Sequence, residues 1–280
     1  MAFVTDMSAP TQEIYISQSI NELDFQTVNF LNDFSKIFAS IADLSLPMQR
    51  EIIKKMFCIQ KSQLEPIEKT EDKVILGRHG PIDIRLFSPK NEGHLPVIVY
   101  FHRGGWVYGS IEESETICRR LANETGSIVV AVDYRLAPEH KFPIPLEDCY
   151  DATQWILENA AAFSGDPDKV ILCGESAGGN LAAAVSLMML KEKQFKVAGQ
   201  LLIYPILTND LEKKHYDNSP DKSLLSYENM QFFWNMYLSS PDEGENPLAS
   251  PLKNENFTHL PPCLIITAEH DALRHEGSCY

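Results

Sequence analysis

Four apolar residues run into a serine flanked by glycines in the stretch Val170-Ile171-Leu172-Cys173-Gly174-Glu175-Ser176-Ala177-Gly178-Gly179-Asn180. The apolar run is typical of a buried strand, and the small residues after Ser176 open a helix. Side chains at the flanks of such a tight turn would clash, which explains Gly174 and Gly178. The pattern predicts that Ser176 lies above the end of a strand as a nucleophile, facing the N-terminus of the helix. The alternative is an ordinary strand–helix turn without a chemical role.

On either side of this stretch, short apolar runs alternate with helical periodicity. The apolar runs read as buried strands at 96–101, 128–132, 170–173, 201–204 and 263–267. Helical segments separate them at 114–125, 146–160 and 177–191. A hairpin that turns at Gly80-Pro81 precedes them all. Buried strands that alternate with helices predict the α/β class, with a mostly parallel sheet covered by helices on both faces.

Two parts of the chain depart from this alternation. Residues 1–70 carry helical periodicity and predict an N-terminal helical lid segment, while 71–280 form the main domain. Residues 208–241 are polar at first and then rich in methionine and aromatic side chains, which indicates a lid insertion between strands. A helical pair that merely packs on the domain remains the alternative for the N-terminal part.

A second glycine-rich segment, His102-Arg103-Gly104-Gly105-Trp106, directly follows the run at 96–101. Acyl transfer needs backbone N–H donors that face a carbonyl oxygen as it becomes negatively charged. Consecutive glycines let the backbone approach that closely. The alternative is an ordinary glycine turn, which the position upstream of the serine stretch disfavours. Trp106 is expected either to line the substrate pocket or to pack in the core.

The composition excludes several classes of partner. A formal net charge of −15 over 280 residues disfavours nucleic acid and anionic membranes, because both attract positive charge. The six cysteines show no metal-binding spacing, and most lie in apolar stretches, where a reduced cysteine packs like a small apolar residue. This favours a reducing compartment. The chain start lacks the basic and apolar segments of a secretion signal, and no apolar stretch is long enough to span a bilayer. These features predict a cytoplasmic protein and leave its oligomeric state open.

Three motifs occur together in this chain: the loop at 102–105, the elbow at 174–179, and the run Asp133-Tyr134-Arg135-Leu136-Ala137-Pro138-Glu139-His140-Lys141-Phe142-Pro143. Together with Asp148, they resemble the hormone-sensitive-lipase-like family of α/β-hydrolases, the α/β-hydrolase fold-3 group. The resemblance covers the chain from about residue 74 onward. It implies an α/β-hydrolase fold with a helical lid. It also implies a carboxylesterase or lipase-like activity on a small-molecule ester, without a cofactor.

The resemblance also assigns roles to individual residues. Ser176 is the implied nucleophile, and Asp271 is the implied acid of the catalytic triad. The backbone N–H groups of Gly104, Gly105 and Ala177 are the implied donors of the oxyanion hole. A helix cap is the alternative role for Asp271.

Arg103 departs from the family pattern, which has glycine at this position, whereas His102 and His140 fall at structural positions. If the position of Arg103 requires a positive φ, arginine is strained there. We therefore expect Arg103 to distort or partly block the oxyanion hole. On that interpretation Arg103→Gly raises esterase activity.

The histidine that should complete the triad has no counterpart here. The chain order in this fold is Ser, then Asp or Glu, then His, and only nine residues follow Asp271. We therefore expect a C-terminally truncated chain, in which strand 263–267 forms an open, aggregation-prone edge. His275 is an alternative base, but its helix leads away from Ser176. The acidic and histidine residues at 269–276 match no known zinc spacing, so no metal is expected.

A nucleophile and an acid without a base also fit two other interpretations. One is a non-catalytic ligand-binding protein that uses the covered pocket of a former hydrolase. The other is an inactive fragment. Ester turnover that depends on Ser176 separates the enzyme from both.

Overall fold

The computed structural model describes residues 25–58, 61–91, 93–192, 196–217 and 225–280. Within these ranges the chain folds around a seven-stranded sheet. Its strands are β1 (Lys69–Gly77), β2 (Gly80–Ser88), β3 (Leu95–Phe101), β4 (Ile128–Asp133), β5 (Gly165–Glu175), β6 (Gly199–Ile203) and β7 (Cys263–Ile266). The α-helices are α1 (Phe25–Ile41), α2 (Leu46–Phe57), α3 (Ile111–Thr125), α4 (Ile144–Asn159), α5 (Ala177–Glu192), α6 (Lys213–Asp217), α7 (Tyr227–Tyr237) and α8 (Arg274–Cys279).

The strands follow the order β1-β2-β4-β3-β5-β6-β7 across the sheet. Strand β2 runs antiparallel to β1 and to β4, and all remaining neighbours are parallel. Central parallel strands are covered on both faces, so their side chains are apolar in both directions. Every residue of β3 except Pro96 is accordingly buried. The α/β class and the strand runs predicted from the sequence are confirmed.

Two apolar layers lie on opposite faces of the sheet. Tyr100 and Cys173 belong to the layer that includes Cys118 of α3. Val99 and Leu172, each one residue earlier in its strand, belong to the layer that includes residues of α4 and α5. Because successive strand residues point to opposite faces, β3 and β5 serve both layers. Their carboxyl ends are therefore held rigidly side by side.

The N-terminal helices predicted in 1–70 are present as α1 and α2, while residues 1–24 lie outside the described part of the chain. Helix α2 is fixed to the segments that follow β3 and β4. Its Arg50 donates from Nε to the carbonyl oxygen of Val107 and from Nη2 to that of Ala137, both at 2.8 Å. The predicted insertion at 208–241 contains α6 and α7. Where they are described, both regions contain helices joined by irregular segments, and β1 already begins at Lys69, inside the segment predicted as 1–70.

Among the described residues, no helix combines the length and the apolar character that crossing a membrane requires. In the same ranges, no three His, Cys, Asp or Glu side chains are grouped so that they could hold a metal ion.

Candidate active site

Ser176 occupies the turn between β5 and α5 with a φ of 53°, in the left-handed region that non-glycine residues rarely adopt. The surroundings hold it there. Its backbone N–H donates to the carbonyl oxygen of Ile203 at 2.9 Å, and its own carbonyl oxygen accepts from Asn180 N at 3.1 Å. The side chain is only partly buried, so a substrate can reach it. This is the strained strand–turn–helix geometry of a nucleophile elbow.

The glycines beside Ser176 are required by backbone packing. A Cβ on Gly174 would overlap the carbonyl oxygen of Gly178, and a Cβ on Gly178 would overlap that of Phe101 at the end of β3. These neighbours are backbone atoms that cannot rotate aside. The steric explanation given for the two glycines is therefore confirmed, and the elbow lies directly against the segment that begins the glycine loop.

The glycine loop curls back on itself after β3. Gly104 and Gly105 have φ values of 126° and 60°, and the carbonyl oxygen of Gly104 accepts from Val107 N and Tyr108 N at 3.1 and 2.8 Å. In the described ranges the N–H groups of both glycines and that of Ala177 have no hydrogen-bond partner. The loop therefore presents free donors beside the elbow.

Helix α7 covers this loop. A Cβ on Gly105 would overlap the ring of Phe233, so the helix packs directly onto the loop backbone. Trp106 is fully buried, and its ring lies 4.2 Å from that of Tyr237 and 4.7 Å from that of Trp234. Of the two roles considered for Trp106, this placement favours packing over lining of a pocket.

His102 is buried at the end of β3 and stacks on Tyr134 with ring centroids 4.1 Å apart. Burial lowers its pKa to about 4, so the ring is neutral at ordinary pH. Its Nδ1 lies 2.8 Å from the carbonyl oxygen of Arg103, which requires this nitrogen to donate. The histidine thus anchors the loop backbone, the structural position implied by the resemblance.

Asp271 follows β7 and is partly buried, and burial raises its pKa. Its Oδ1 accepts from Leu273 N at 3.0 Å, a local turn within the chain. Arg274 N also donates to the carbonyl oxygen of Asp271 at 3.1 Å, so Asp271 caps the turn that leads into α8, whose first residue is Arg274. Among the described residues Oδ2 has no hydrogen-bond partner.

All eight histidines of the chain lie in the described ranges, and none hydrogen-bonds to Ser176. His275 instead stacks on His215 with ring centroids 4.3 Å apart, and its Nε2 lies 3.6 Å from Cys279 Sγ. These three side chains line a cavity of about 190 Å³ beside α8 that Ser176 does not line. His140 lies in a turn in which its N–H donates to Leu136 O at 2.9 Å.

Arg103 is not in the left-handed region, because the positive φ values begin one residue later, at Gly104. The expected backbone strain at Arg103 is therefore wrong. Its guanidinium instead lies 3.2 Å from Glu175 Oε2 and 4.8 Å from the ring centre of Phe57. Sequence reasoning missed this pair. The available signal was a carboxylate and a cation, each in an otherwise apolar or glycine-rich segment.

Comparison with known proteins identifies relatives of this chain. The family model described as "alpha/beta hydrolase fold" matches residues 98–280. An arylesterase of Saccharolobus solfataricus is 34% identical over 261 residues, which cover 92% of this chain and 84% of that protein. Carboxylesterase NlhH of Mycobacterium tuberculosis is 35% identical over 224 residues, or 78% of this chain and 70% of the relative.

Solved structures agree with the sequence relatives. A hyperthermophilic esterase from the archaeon Pyrobaculum calidifontis superposes with a TM-score of 0.83 at 39% identity. The match covers 91% of this chain and 83% of that structure. Sequence and fold therefore agree, and the chain belongs to the α/β-hydrolase fold-3 family of carboxylesterases, the hormone-sensitive-lipase-like group.

Proposed function

We propose that this chain hydrolyses small-molecule carboxylic esters with Ser176 as the nucleophile. The observation that carries the proposal is the strained, accessible Ser176 at the N-terminus of α5, next to a loop with free N–H donors. The hydroxyl oxygen attacks the ester carbonyl, the alcohol leaves, and water then cleaves the acyl group from the serine. Relatives named as arylesterase and carboxylesterase support the same chemistry.

Gly104, Gly105 and Ala177 are proposed to bind the oxyanion through their backbone N–H groups. Negative charge develops on the carbonyl oxygen only as the hydroxyl attacks, so donors fixed in advance favour the transition state over the bound ester. Ala177 is the first residue of α5, where the helix dipole adds positive potential at the same point. Removal of one such donor typically slows turnover by about 100-fold to 1,000-fold.

Asp271 is proposed as the acid that would orient a histidine base, through its free Oδ2. No histidine of this chain contacts Ser176, so we propose that residues 1–280 alone transfer the serine proton to solvent. Water is a far weaker base than imidazole at neutral pH, and loss of a triad histidine slows turnover by several orders of magnitude. Residues 1–280 are therefore expected to be a slow esterase.

Helices α1, α2 and α7 are proposed as the lid over this site. Phe233 of α7 lies on Gly105 and contacts the ring of Tyr108 edge-on at 6.1 Å. Phe38 of α1 also contacts the ring of Tyr108 edge-on, at 6.3 Å. An apolar cover of this kind excludes water and favours an acyl ester of modest size. The six free cysteines are consistent with the cytoplasmic location that we propose.

A non-catalytic ligand-binding protein is the second candidate. The observation in its favour is that Ser176 lacks a histidine partner although all eight histidines are described. The two candidates differ in turnover, since a binding protein is stabilised by an ester without cleaving it.

The test is hydrolysis of p-nitrophenyl butyrate by the chain, with imidazole added in steps as a soluble base. We expect a slow rate that rises with imidazole and is lost in Ser176→Ala. Ser186→Ala is the matched control, because Ser186 is buried on α5 and donates to Ala182 O at 3.1 Å, away from the elbow. Thermal stabilisation by the ester with no Ser176-dependent turnover at any imidazole concentration rejects the enzyme and supports the binding protein.

A further inference from the structure

A carboxylate is buried immediately before the nucleophile. Glu175 is only 2% exposed, and its side chain accepts hydrogen bonds from the hydroxyl groups of Tyr100 and Tyr204. The third partner is Arg103, whose Nη1 lies 3.2 Å from Glu175 Oε2. Arg103 is the cation among these three partners. Removal of the cation that pairs with a buried carboxylate strongly destabilises the folded state, so we expect the contact with Arg103 to matter for stability.

The partners of Glu175 come from separate segments that meet at the site. Tyr100 belongs to β3, and Arg103 lies in the glycine loop one residue before Gly104. Tyr204 directly follows β6, with a φ of 36°, and its N–H donates to the carbonyl oxygen of Ile266 at 2.6 Å. Glu175 therefore joins the elbow to the oxyanion loop on one side and to the end of β6 on the other.

The charges of this cluster act on the reaction itself. Glu175 adjoins Ser176, so its negative charge opposes the negative charge that forms on the ester oxygen. The Arg103 guanidinium offsets it from the loop that supplies the oxyanion donors. The guanidinium also lies over Phe57, the last residue of α2, 4.8 Å from its ring centre. This contact extends the pair to the N-terminal helices.

We propose that Arg103 is a positioning residue for ester hydrolysis: by pairing with Glu175 it holds the oxyanion loop against the elbow and cancels the buried charge beside Ser176. The inference rests on the proposed function, and it reverses the expectation that Arg103 obstructs the site. Loss of the guanidinium leaves Glu175 with two neutral donors and frees the loop. Arg103→Gly then lowers activity, because it removes the cation and adds backbone freedom next to Gly104.

The first test is a double-mutant cycle on thermal stability, which needs no activity. We expect Arg103→Met to lower Tm by about 5 °C, and Glu175→Gln in the same chain to recover part of that loss. Arg120→Met is the matched control, since Arg120 is exposed on α3, and its Tm should change by less than about 1 °C. Additive Tm changes for Arg103 and Glu175 overturn the pairing.

The second test measures kcat and KM for p-nitrophenyl butyrate, with imidazole present and Ser176→Ala as background. We expect Arg103→Met to lower kcat by about tenfold to 100-fold with KM within about twofold. Arg103→Lys should recover part of kcat through its charge. The double variant Arg103→Met with Glu175→Gln should have a higher kcat than Arg103→Met alone. An unchanged or raised kcat in Arg103→Met overturns the inference.

Amide hydrogen exchange of the loop keeps the two proposals separable. Faster amide exchange at residues 103–109 in Arg103→Met supports the positioning contact. If the unmodified chain at the same time shows no Ser176-dependent hydrolysis, the proposed ester hydrolysis is rejected. Normal Ser176-dependent turnover with unchanged exchange and kcat in Arg103→Met rejects the positioning role alone.

Discussion

The two ends of the candidate site are built differently. The nucleophile end rests on β3 and β5, in which Val99, Leu172 and Cys173 are fully buried. Ser176 is held by backbone hydrogen bonds to Ile203 and Asn180. The acid end rests on β7, the last strand in the sheet order, where Leu264 and Ile266 are 58% and 47% exposed. The geometry of the proposed nucleophile and oxyanion donors is thus set by the core of the sheet, and that of Asp271 by a partly exposed strand at the end of the sheet order.

The largest difference in stability between the two ends is expected when glycines are replaced by alanine. Gly178→Ala places a Cβ onto the carbonyl oxygen of Phe101, whereas Gly199→Ala, in β6, meets only ordinary contacts, the nearest being Pro262 O at 3.4 Å. We expect Gly178→Ala to destabilise the fold by more than about 4 kcal/mol, or to prevent folding, and Gly199→Ala to change it little. Thermal unfolding followed by circular dichroism measures both. Equal Tm values for the two variants contradict the comparison.

Leucine truncation should rank the two ends in the same order. Leu172 of β5 is 0% exposed and Leu264 of β7 is 58% exposed. Leu172→Ala is expected to lower the free energy of unfolding by about 2–5 kcal/mol, because it removes buried contacts and leaves a cavity. Leu264→Ala should stay within about 0.5 kcal/mol. Urea unfolding gives both values, and a larger loss at Leu264 refutes the contrast in packing.

The acid end should also carry a pH signature. Glu276 of α8 is buried and accepts from the backbone N–H groups of Leu207 and Thr208, at 2.6 and 3.0 Å. Burial raises its pKa from 4.5 to about 7. The folded state then binds the proton more tightly than the unfolded state, so this group's contribution to stability is lost as pH rises from about 4.5 through 7.

Glu276→Gln removes that titration. Relative to the unmodified chain, the variant should gain on the order of 3 kcal/mol of stability between pH 4 and pH 8. Urea unfolding across this range measures the gain, and Glu269→Gln, at an exposed position near α8, is the control that should show none. A pH-independent difference between Glu276→Gln and the unmodified chain shows that the carboxylate does not titrate in this window.

A substitution on β7 is expected to have the smallest effect on stability. It should, however, change solubility measurably. Leu264→Lys places a charge on the exposed face of β7, which discourages pairing between the edges of two molecules. Light scattering over a concentration series should show less self-association than for the unmodified chain, at nearly unchanged Tm. Lys191→Met, at an exposed helical position, changes the net charge by one unit in the opposite direction and is the control for an effect of net charge alone. An unmodified chain that is already monodisperse at high concentration removes the basis for this expectation.

The parts of the fold that follow from local pattern were predictable from the sequence. The strands are short apolar runs because they are buried on both faces, and the elbow is readable because Gly174 and Gly178 have steric reasons to be glycine. The start of α3 at Ile111, earlier than the predicted 114, depends on Ser110, whose Oγ accepts from Glu113 N at 3.4 Å.

The Glu175 cluster was not predictable in the same way. Arg103 lies 72 residues from Glu175 along the chain and Tyr204 lies 29 residues from it, so no local periodicity links them. Only the strand order places these residues together. The error at Arg103 has a related origin, because the position of the left-handed turn within the glycine loop is set by the contact of Gly104 with Tyr108.

Mass spectrometry of the chain after incubation with p-nitrophenyl acetate tests the central claim most directly. Ser176 should carry one acetyl group that accumulates over time, because release of the acyl group also needs a base, and no histidine among residues 1–280 hydrogen-bonds to Ser176. The label should be absent from Ser176→Ala and unchanged in Ser186→Ala. Acetyl groups scattered over lysines with none on Ser176 contradict the account, as does rapid turnover by the unmodified chain without added imidazole.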